Sequence, residues 1–176
     1  MGLVHIYCGD GKGKTSAAVG LAVRAAGCGK RVVIARFLKT DNSGEVEILK
    51  KIPEVTLIPC RKTFGFVRSM DEETKRECAA YHRELFGEAV KLAEHADLVV
   101  FDEIMAAVNY GMVPERDVLE FLENRPGRDQ TDGLEIVLTG RDPSEKLIAA
   151  ADYVSEICKR KHPFDREIMA RRGVEY

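Results

Sequence analysis

The chain of 176 residues contains no tryptophan, and aromatic residues of all kinds make up only 7% of it. It has no surplus of positive charge either. The 27 lysines and arginines face 29 aspartates and glutamates, a formal net charge of -2 that offers no field for holding a nucleic-acid backbone nonspecifically. No apolar run approaches the roughly 18 residues that suggest a membrane span. Met1 to Ile6 lacks the positive flank and long apolar stretch of a signal peptide, and Ile6 stands where a myristoylation site wants Ser or Thr. The cysteines Cys8, Cys28, Cys60, Cys78 and Cys158 form no C-x-x-C pair for zinc and no dense disulfide framework. There is no internal repeat and no low-complexity segment. A general nucleic-acid binder, a membrane protein and a disulfide scaffold are all disfavoured, and the expected location is the cytoplasm.

What is present is 45% hydrophobic and 32% charged residues, the balance of a soluble globular protein. The length suits one domain spanning residues 1–176. Short apolar, β-branched runs at Leu3 to Cys8, Arg31 to Leu38, Val55 to Pro59, Leu98 to Phe101, Leu134 to Thr139 and Tyr153 to Cys158 alternate with longer amphipathic segments. Several runs are continuously apolar, as strands of a parallel sheet covered on both faces should be. The spacing predicts an open α/β sandwich with a mainly parallel sheet.

Between the first two runs, Ala18, Leu21, Ala22 and Ala25 predict a helix with a narrow small-residue stripe, ended by Gly27 and Gly29. A long helix is expected from Asp71 to Ala96, with Ser69 and Glu72 as a capping box and Gly87 as a weak or bent point. A shorter one runs from Pro114 to Asn124, and Arg125 to Gly133 is the most linker-like stretch.

The strongest motif is Cys8-Gly9-Asp10-Gly11-Lys12-Gly13-Lys14-Thr15, which joins the first strand to the first helix and is followed by Ser16. It resembles the Walker A pattern of P-loop proteins, except that Cys8 stands where the strict pattern has its first glycine. Glycines let backbone N–H groups turn inward onto phosphate oxygens, and the following helix points its positive end at them. Lys14 would neutralise phosphate charge and Thr15 would ligate Mg²⁺. A dinucleotide-binding reading fails, because Lys14 occupies the third glycine of G-x-G-x-x-G and the second strand ends in Arg36 and Lys39 instead of a ribose-binding acid.

The second motif, Leu98-Val99-Val100-Phe101-Asp102-Glu103, is an apolar strand ending in two carboxylates at the sheet edge where open α/β sheets bind ligands. It has the form of a Walker B strand, with Asp102 and Glu103 as candidate Mg²⁺ ligands. Taken alone it reads equally well as a helix cap. Arg141 is a candidate phosphate contact, or an exposed arginine at a helix start.

Read in order, the phosphate loop, R-F-L-K at Arg36 to Lys39, S-G-E at Ser43 to Glu45, G-F at Gly65-Phe66, D-E at Asp102-Glu103, N-R-P at Asn124 to Pro126, L-T-G-R at Leu138 to Arg141, A-D-x-V-S-E at Ala151 to Glu156, K-H-P-F-D at Lys161 to Asp165 and the terminal G-V-E-Y resemble the ATP:corrinoid adenosyltransferases of the CobA/CobO/BtuR type. The resemblance is colinear over nearly the whole chain.

It implies a P-loop, RecA-like fold and the transfer of the 5′-deoxyadenosyl group of ATP to Co(I) of a corrinoid, with release of intact triphosphate. Lys12, Lys14 and Mg²⁺ would stabilise the leaving group, with Lys14 and Glu103 as catalytic candidates. Gly9, Asp10, Gly11, Lys12, Gly13, Lys14, Thr15, Ser16 and Arg141 would hold the nucleotide. The family produces Co(I) by displacing the lower axial ligand of Co(II) with apolar side chains, so that a flavodoxin-like flavoprotein can reduce it. Phe64, Phe66, Arg68, Met70 and His162 are the corrinoid-side candidates; without the resemblance, Phe64 and Phe66 read as core packing. Arg68 replaces the tryptophan of the family's G-F-T-W, and Asp165-Arg166-Glu167 replaces its D-x-G.

No D-x-H-x-x-G pattern surrounds any histidine, so none is expected to ligate cobalt. The residues leave room for a homodimer. A P-loop ATPase or phosphotransferase, or a corrinoid-binding module without turnover, remain the alternatives.

Overall fold

The computed structural model describes residues 2–128 and 132–175. Six strands form one parallel sheet: β1 (Val4–Cys8), β2 (Val32–Arg36), β3 (Val55–Leu57), β4 (Leu98–Asp102), β5 (Glu135–Thr139) and β6 (Tyr153–Glu156). All six expected strands are present; five are a little shorter than their apolar runs, and β4 runs one residue further, through Asp102. Their order is β3-β2-β4-β5-β1-β6. The helices are α1 (Lys14–Gly27), α2 (Gly44–Leu49), α3 (Glu72–Ala93), α4 (Ile104–Asn109), α5 (Glu115–Glu123) and α6 (Glu145–Ala150). Among the described residues, no helix is long and apolar enough to cross a membrane.

Alternation along the strands divides the core into two layers. Val32 and Ile34 of β2, Leu98 and Val100 of β4 and Val137 of β5 pack with Ala18, Ala22 and Ala26 of α1 and Leu49 of α2. Val33, Ala35, Val99, Phe101, Ile136 and Leu138 face the other way and pack with α3, α5 and α6. Every residue of β2 and of β4 is therefore buried, which explains their unbroken apolar character.

Small side chains on α1 let it lie close to the sheet, although the buried row is Ala18, Ala22, Ala26, with Leu21 and Ala25 only half-buried. The predicted capping box at Ser69 and Glu72 is not formed. Asp71 caps α3 instead, its carboxylate accepting the Thr74 N–H at 2.8 Å, while Ser69 sits in a 3₁₀ turn and donates to the Phe66 carbonyl at 2.9 Å. Asp is as good a cap as Ser, and the 3₁₀ turn ends two residues before it, at Ser69. Helix α3 runs unbroken through Gly87. The short helices α2, α4 and α6 have too few turns to leave a periodic signal. Positions 129–131 of the linker-like stretch lie outside the described residues.

Phe101 is fully buried, with ring centroids 5.4 Å from Phe86, 5.6 Å from Phe121 and 6.3 Å from Phe37. It joins the sheet to both α3 and α5. Phe101→Ala is expected to cost about 3 to 5 kcal/mol of stability. The check is a lower urea midpoint at unchanged slope.

Candidate active site

The carboxyl ends of five strands form one row. Register pairs Tyr7 with Thr139, Cys8 with Glu156, Phe101 with Leu138, and Arg36 with Asp102. Strand β5 thus separates the strand that feeds the phosphate loop from the strand that ends in Asp102. Asp102 and Thr139 share the parity of Val100 and Val137, so both point to the layer that α1 covers. This brings the two sequence motifs together. Thr15 donates its hydroxyl to Asp102 Oδ1 at 2.9 Å, and Thr139 donates to the same oxygen at 2.7 Å.

The loop itself is closely packed. Gly9 has φ 101° and Gly13 φ 122°, left-handed conformations that disfavour a side chain. A Cβ on Gly9 or Gly11 would lie 2.5 or 2.6 Å from the Ile157 carbonyl oxygen. That oxygen accepts the Gly11 N–H at 2.7 Å, so the chain leaving β6 lies directly against the loop. Gly9 therefore stands in for the glycine that Cys8 displaced, and Cys8 is buried at the end of β1. Lys14 donates to the carbonyls of Gly9 and Gly11, each at 2.8 Å. Burial, and then the nearby Arg141 guanidinium, lower its pKa.

Asp10 and Lys12 serve the C-terminal segment here. Asp10 Oδ1 accepts the Lys159 N–H at 2.8 Å, and that hydrogen bond holds its carboxyl below the usual range. Lys12 pairs with Glu175 at 3.0 Å. Arg171, followed by Lys12, brings the Glu175 carboxyl down to about 2. Arg141 is exposed and its guanidinium is 3.5 Å from the Asp10 carbonyl, at the mouth of the loop.

The two acidic residues part company. Asp102 is 2% exposed and points into the network, whereas Glu103 takes a left-handed conformation (φ 62°) as the N-cap residue of α4. The Glu103 backbone N–H donates to Thr139 Oγ1 at 2.8 Å, while its half-buried carboxylate acts on Lys14 only through its charge. Thr15 and Asp102 are an oxygen-only pair suited to Mg²⁺, which takes one or two protein oxygens and completes its shell with phosphate and water. A cation already touches both, since Lys39 donates to Thr15 Oγ1 at 2.8 Å and to Asp102 Oδ2. Among the described residues there is no group of three or more acidic, His or Cys side chains that could hold a metal.

Beside the loop opens a cleft of about 1080 Å³, at the upper end of small-molecule sites. Its lining includes Thr15, Ser16 and Lys39, the segment Phe64, Gly65 and Phe66 with His82, and Gly173 to Glu175. The two phenylalanines differ. Phe64 packs half-buried against Tyr81 and His82, with centroids 5.6 and 6.4 Å away, as core packing would have it. Phe66 is 88% exposed and is not a core residue. Arg68 is exposed on the 3₁₀ turn, and Met70 is half-buried against the core. His162 is half-buried on the C-terminal segment, its carbonyl accepting the Asp165 N–H at 3.1 Å. None of these three is among the cleft-lining residues.

Three residues at the site carried no role in the sequence reading. Lys39 and Thr139 lie in R-F-L-K and L-T-G-R, where the motif was visible but not the contact. His82 had no signal, being one histidine on an amphipathic helix.

A parallel sheet with a phosphate loop at its carboxyl edge, facing a buried aspartate, places the chain among P-loop α/β proteins. The family described as ATP:corrinoid adenosyltransferase BtuR/CobO/CobP matches residues 1–176. Corrinoid adenosyltransferase of Escherichia coli K12 is 34% identical over 99% of this chain and 86% of the relative. Corrinoid adenosyltransferase CobA of Salmonella typhimurium is also 34% identical, with the same coverage. A corrinoid adenosyltransferase of Pseudomonas aeruginosa is 30% identical over 99% of this chain and 84% of its own length. The chain belongs to the ATP:corrinoid adenosyltransferase family, whose members adenosylate corrinoids in cobalamin metabolism at the expense of ATP.

His82 is 3% exposed, and its Nδ1 is sealed from solvent without a partner. Burial lowers its pKa from 6.5 to about 4. Below pH 6.5 the unfolded chain takes up a proton that the folded protein refuses until near pH 4, so stability falls with pH across that window. Between about pH 7 and 5 this loss is about 2 kcal/mol. His82→Phe is expected to lose correspondingly less over that interval, measured by urea denaturation at the two pH values.

Proposed function

We propose that this protein moves the 5′-deoxyadenosyl group of ATP onto Co(I) of a corrinoid and releases triphosphate whole, within the single domain 1–176. The observation that carries the reading is the cleft that joins the phosphate loop at Thr15 and Ser16 to the exposed ring of Phe66. One side takes a highly charged polyphosphate, the other a large apolar face.

The attacked atom is C5′ and the nucleophile is the corrinoid's cobalt, so no side chain has to activate water. What the protein must supply is charge for the leaving triphosphate. Lys14 leaves the carbonyls of Gly9 and Gly11 for phosphate oxygens, and backbone N–H groups of the loop other than that of Gly11, which the Ile157 carbonyl holds, complete the cradle. Lys12 and Arg141 stand at the mouth of the loop and add charge at the periphery. Thr15 and Asp102 would hold Mg²⁺, with Glu103 beside them. When bound, Mg²⁺ supplies Lewis-acid stabilisation of the triphosphate.

For the corrinoid, Phe66 and Phe64 exclude the lower axial ligand of Co(II), which makes reduction by a flavodoxin-like flavoprotein feasible. Arg68 and Met70 follow them in the chain, and His162 is the remaining candidate contact. The protein acts in the cytoplasm, and the reading accommodates a homodimer.

An anaerobic assay with ATP, Mg²⁺ and cob(I)alamin tests this through the corrinoid spectrum and the phosphate product. Intact triphosphate with adenosylated corrinoid is expected; ADP would identify an ATPase or phosphotransferase, and no product a binding module. In the same assay Lys14→Ala should lose on the order of 100-fold or more in rate, since one charged contact in a preorganised site is removed.

Phe66→Ala should slow the reaction started from Co(II) and a flavoprotein, and change it little when Co(I) is made chemically. Because Phe66 is exposed, its melting temperature should stay near that of the unaltered protein. An unchanged ratio of the two rates would remove Phe66 from ligand displacement.

A further inference from the structure

The buried Asp102 carboxylate accepts from three side chains. Its Oδ1 takes the hydroxyls of Thr15 and Thr139, and its Oδ2 takes the Lys39 ammonium. Asp102 is held in place by β4, but Lys39 is not held in the same way. Its side chain is 25% exposed, it lines the cleft, and it reaches Asp102 from the loop after β2 on a flexible four-carbon stem. Of the three donors on its ammonium, two are used, on Thr15 and Asp102. Leu38, just before it, has φ 52°, a left-handed backbone conformation.

A carboxylate this buried requires a cation beside it. A divalent ion touching Thr15 and Asp102 would occupy the space the ammonium fills, and the two cannot be there together. A polyphosphate entering the cleft offers the ammonium a new set of oxygens within reach of the same stem. From these contacts, and resting on the reading that Thr15 and Asp102 hold the metal, we propose that Lys39 is a resident counter-cation. It keeps the Thr15–Asp102 position closed to free divalent ions while no nucleotide is bound. It moves onto the triphosphate when the metal–nucleotide complex arrives, so the metal binds only together with ATP and Lys39 adds charge to the leaving group.

Mn²⁺, followed by the EPR signal of the free ion, is the probe. If Lys39 holds the position more than nine-tenths of the time, removing it should raise the apparent Mn²⁺ affinity of the nucleotide-free protein about tenfold or more. Lys39→Met should show that gain, Lys39→Arg should not, and Thr15→Ala introduced into Lys39→Met should abolish it. A structural ion pair predicts no gain of binding in any variant. Equal Mn²⁺ affinity in Lys39→Met and the unaltered protein overturns the proposal.

The unaltered protein gives a second arm that does not depend on a variant folding. With Mn²⁺ alone, at concentrations that saturate it when ATP is present, it should leave the free-ion signal undiminished. Stoichiometric Mn²⁺ binding there overturns the proposal as well. The two readings fail differently: without a bound Mn²⁺ even in the presence of ATP, the Thr15–Asp102 metal site itself is wrong. Normal Mn²⁺–ATP binding with no gain in Lys39→Met removes only the role given to Lys39.

Discussion

The Asp102 carboxylate ties four parts of the chain to one point. Through Thr15 it fixes the first turn of α1, through Thr139 the end of β5, and through Lys39 the loop after β2, while β4 carries it. A charge at 2% exposure is tolerated because hydroxyl donors and an ammonium surround it. The same network closes on Glu103, whose N–H uses the Thr139 hydroxyl as acceptor. The left-handed turn at Glu103 then starts α4 at once, with no loop between strand and helix. The polar side of the cleft therefore follows from satisfying one buried anion.

Arg36 plays a matching role one strand away. It is buried at the end of β2, donates to the Thr40 carbonyl at 2.8 Å and pairs with Asp41, whose Oδ1 also accepts the Cys60 N–H at 3.2 Å. This latch shapes the 37–41 turn that carries Lys39 and joins it to the segment that leads to Phe64 and Phe66. Polar and apolar sides of the cleft are thus held in one geometry by a guanidinium and a carboxylate, which are charge-assisted and directional. The aromatic residues at the cleft are Phe66, whose ring is exposed, and Phe64, which also packs against Tyr81 and His82.

The phosphate loop serves two masters. Its end at Thr15 and Ser16 lines the cleft, while Gly9 and Gly11 are required by the close approach of the Ile157 carbonyl. Asp10 and Lys12 also reach the C-terminal segment, at Lys159 and Glu175. The loop is therefore supported by the last strand and the residues after it, and Gly173 to Glu175 end up in the cleft wall.

Apolar runs and glycine spacing were enough for the six strands, the α/β class, α1, α3 and the loop, because each is dictated by local periodicity or by backbone conformation that few residues adopt. The colinear motifs were enough for the family. Contacts between motifs were out of reach of any linear reading. That Asp102, but not Glu103, meets Thr15 depends on strand parity and on β5 lying between β1 and β4. Lys39 could be seen as a strand-end cation, yet only the left-handed turn at Leu38 and the latch at Arg36 bring it onto Asp102. Phe64 and Phe66, two residues apart, both line the cleft but differ because Phe64 also packs on α3 while Phe66 stays exposed. Local energetics chose the elements; long-range packing and the balancing of a buried charge chose which side chains share the site.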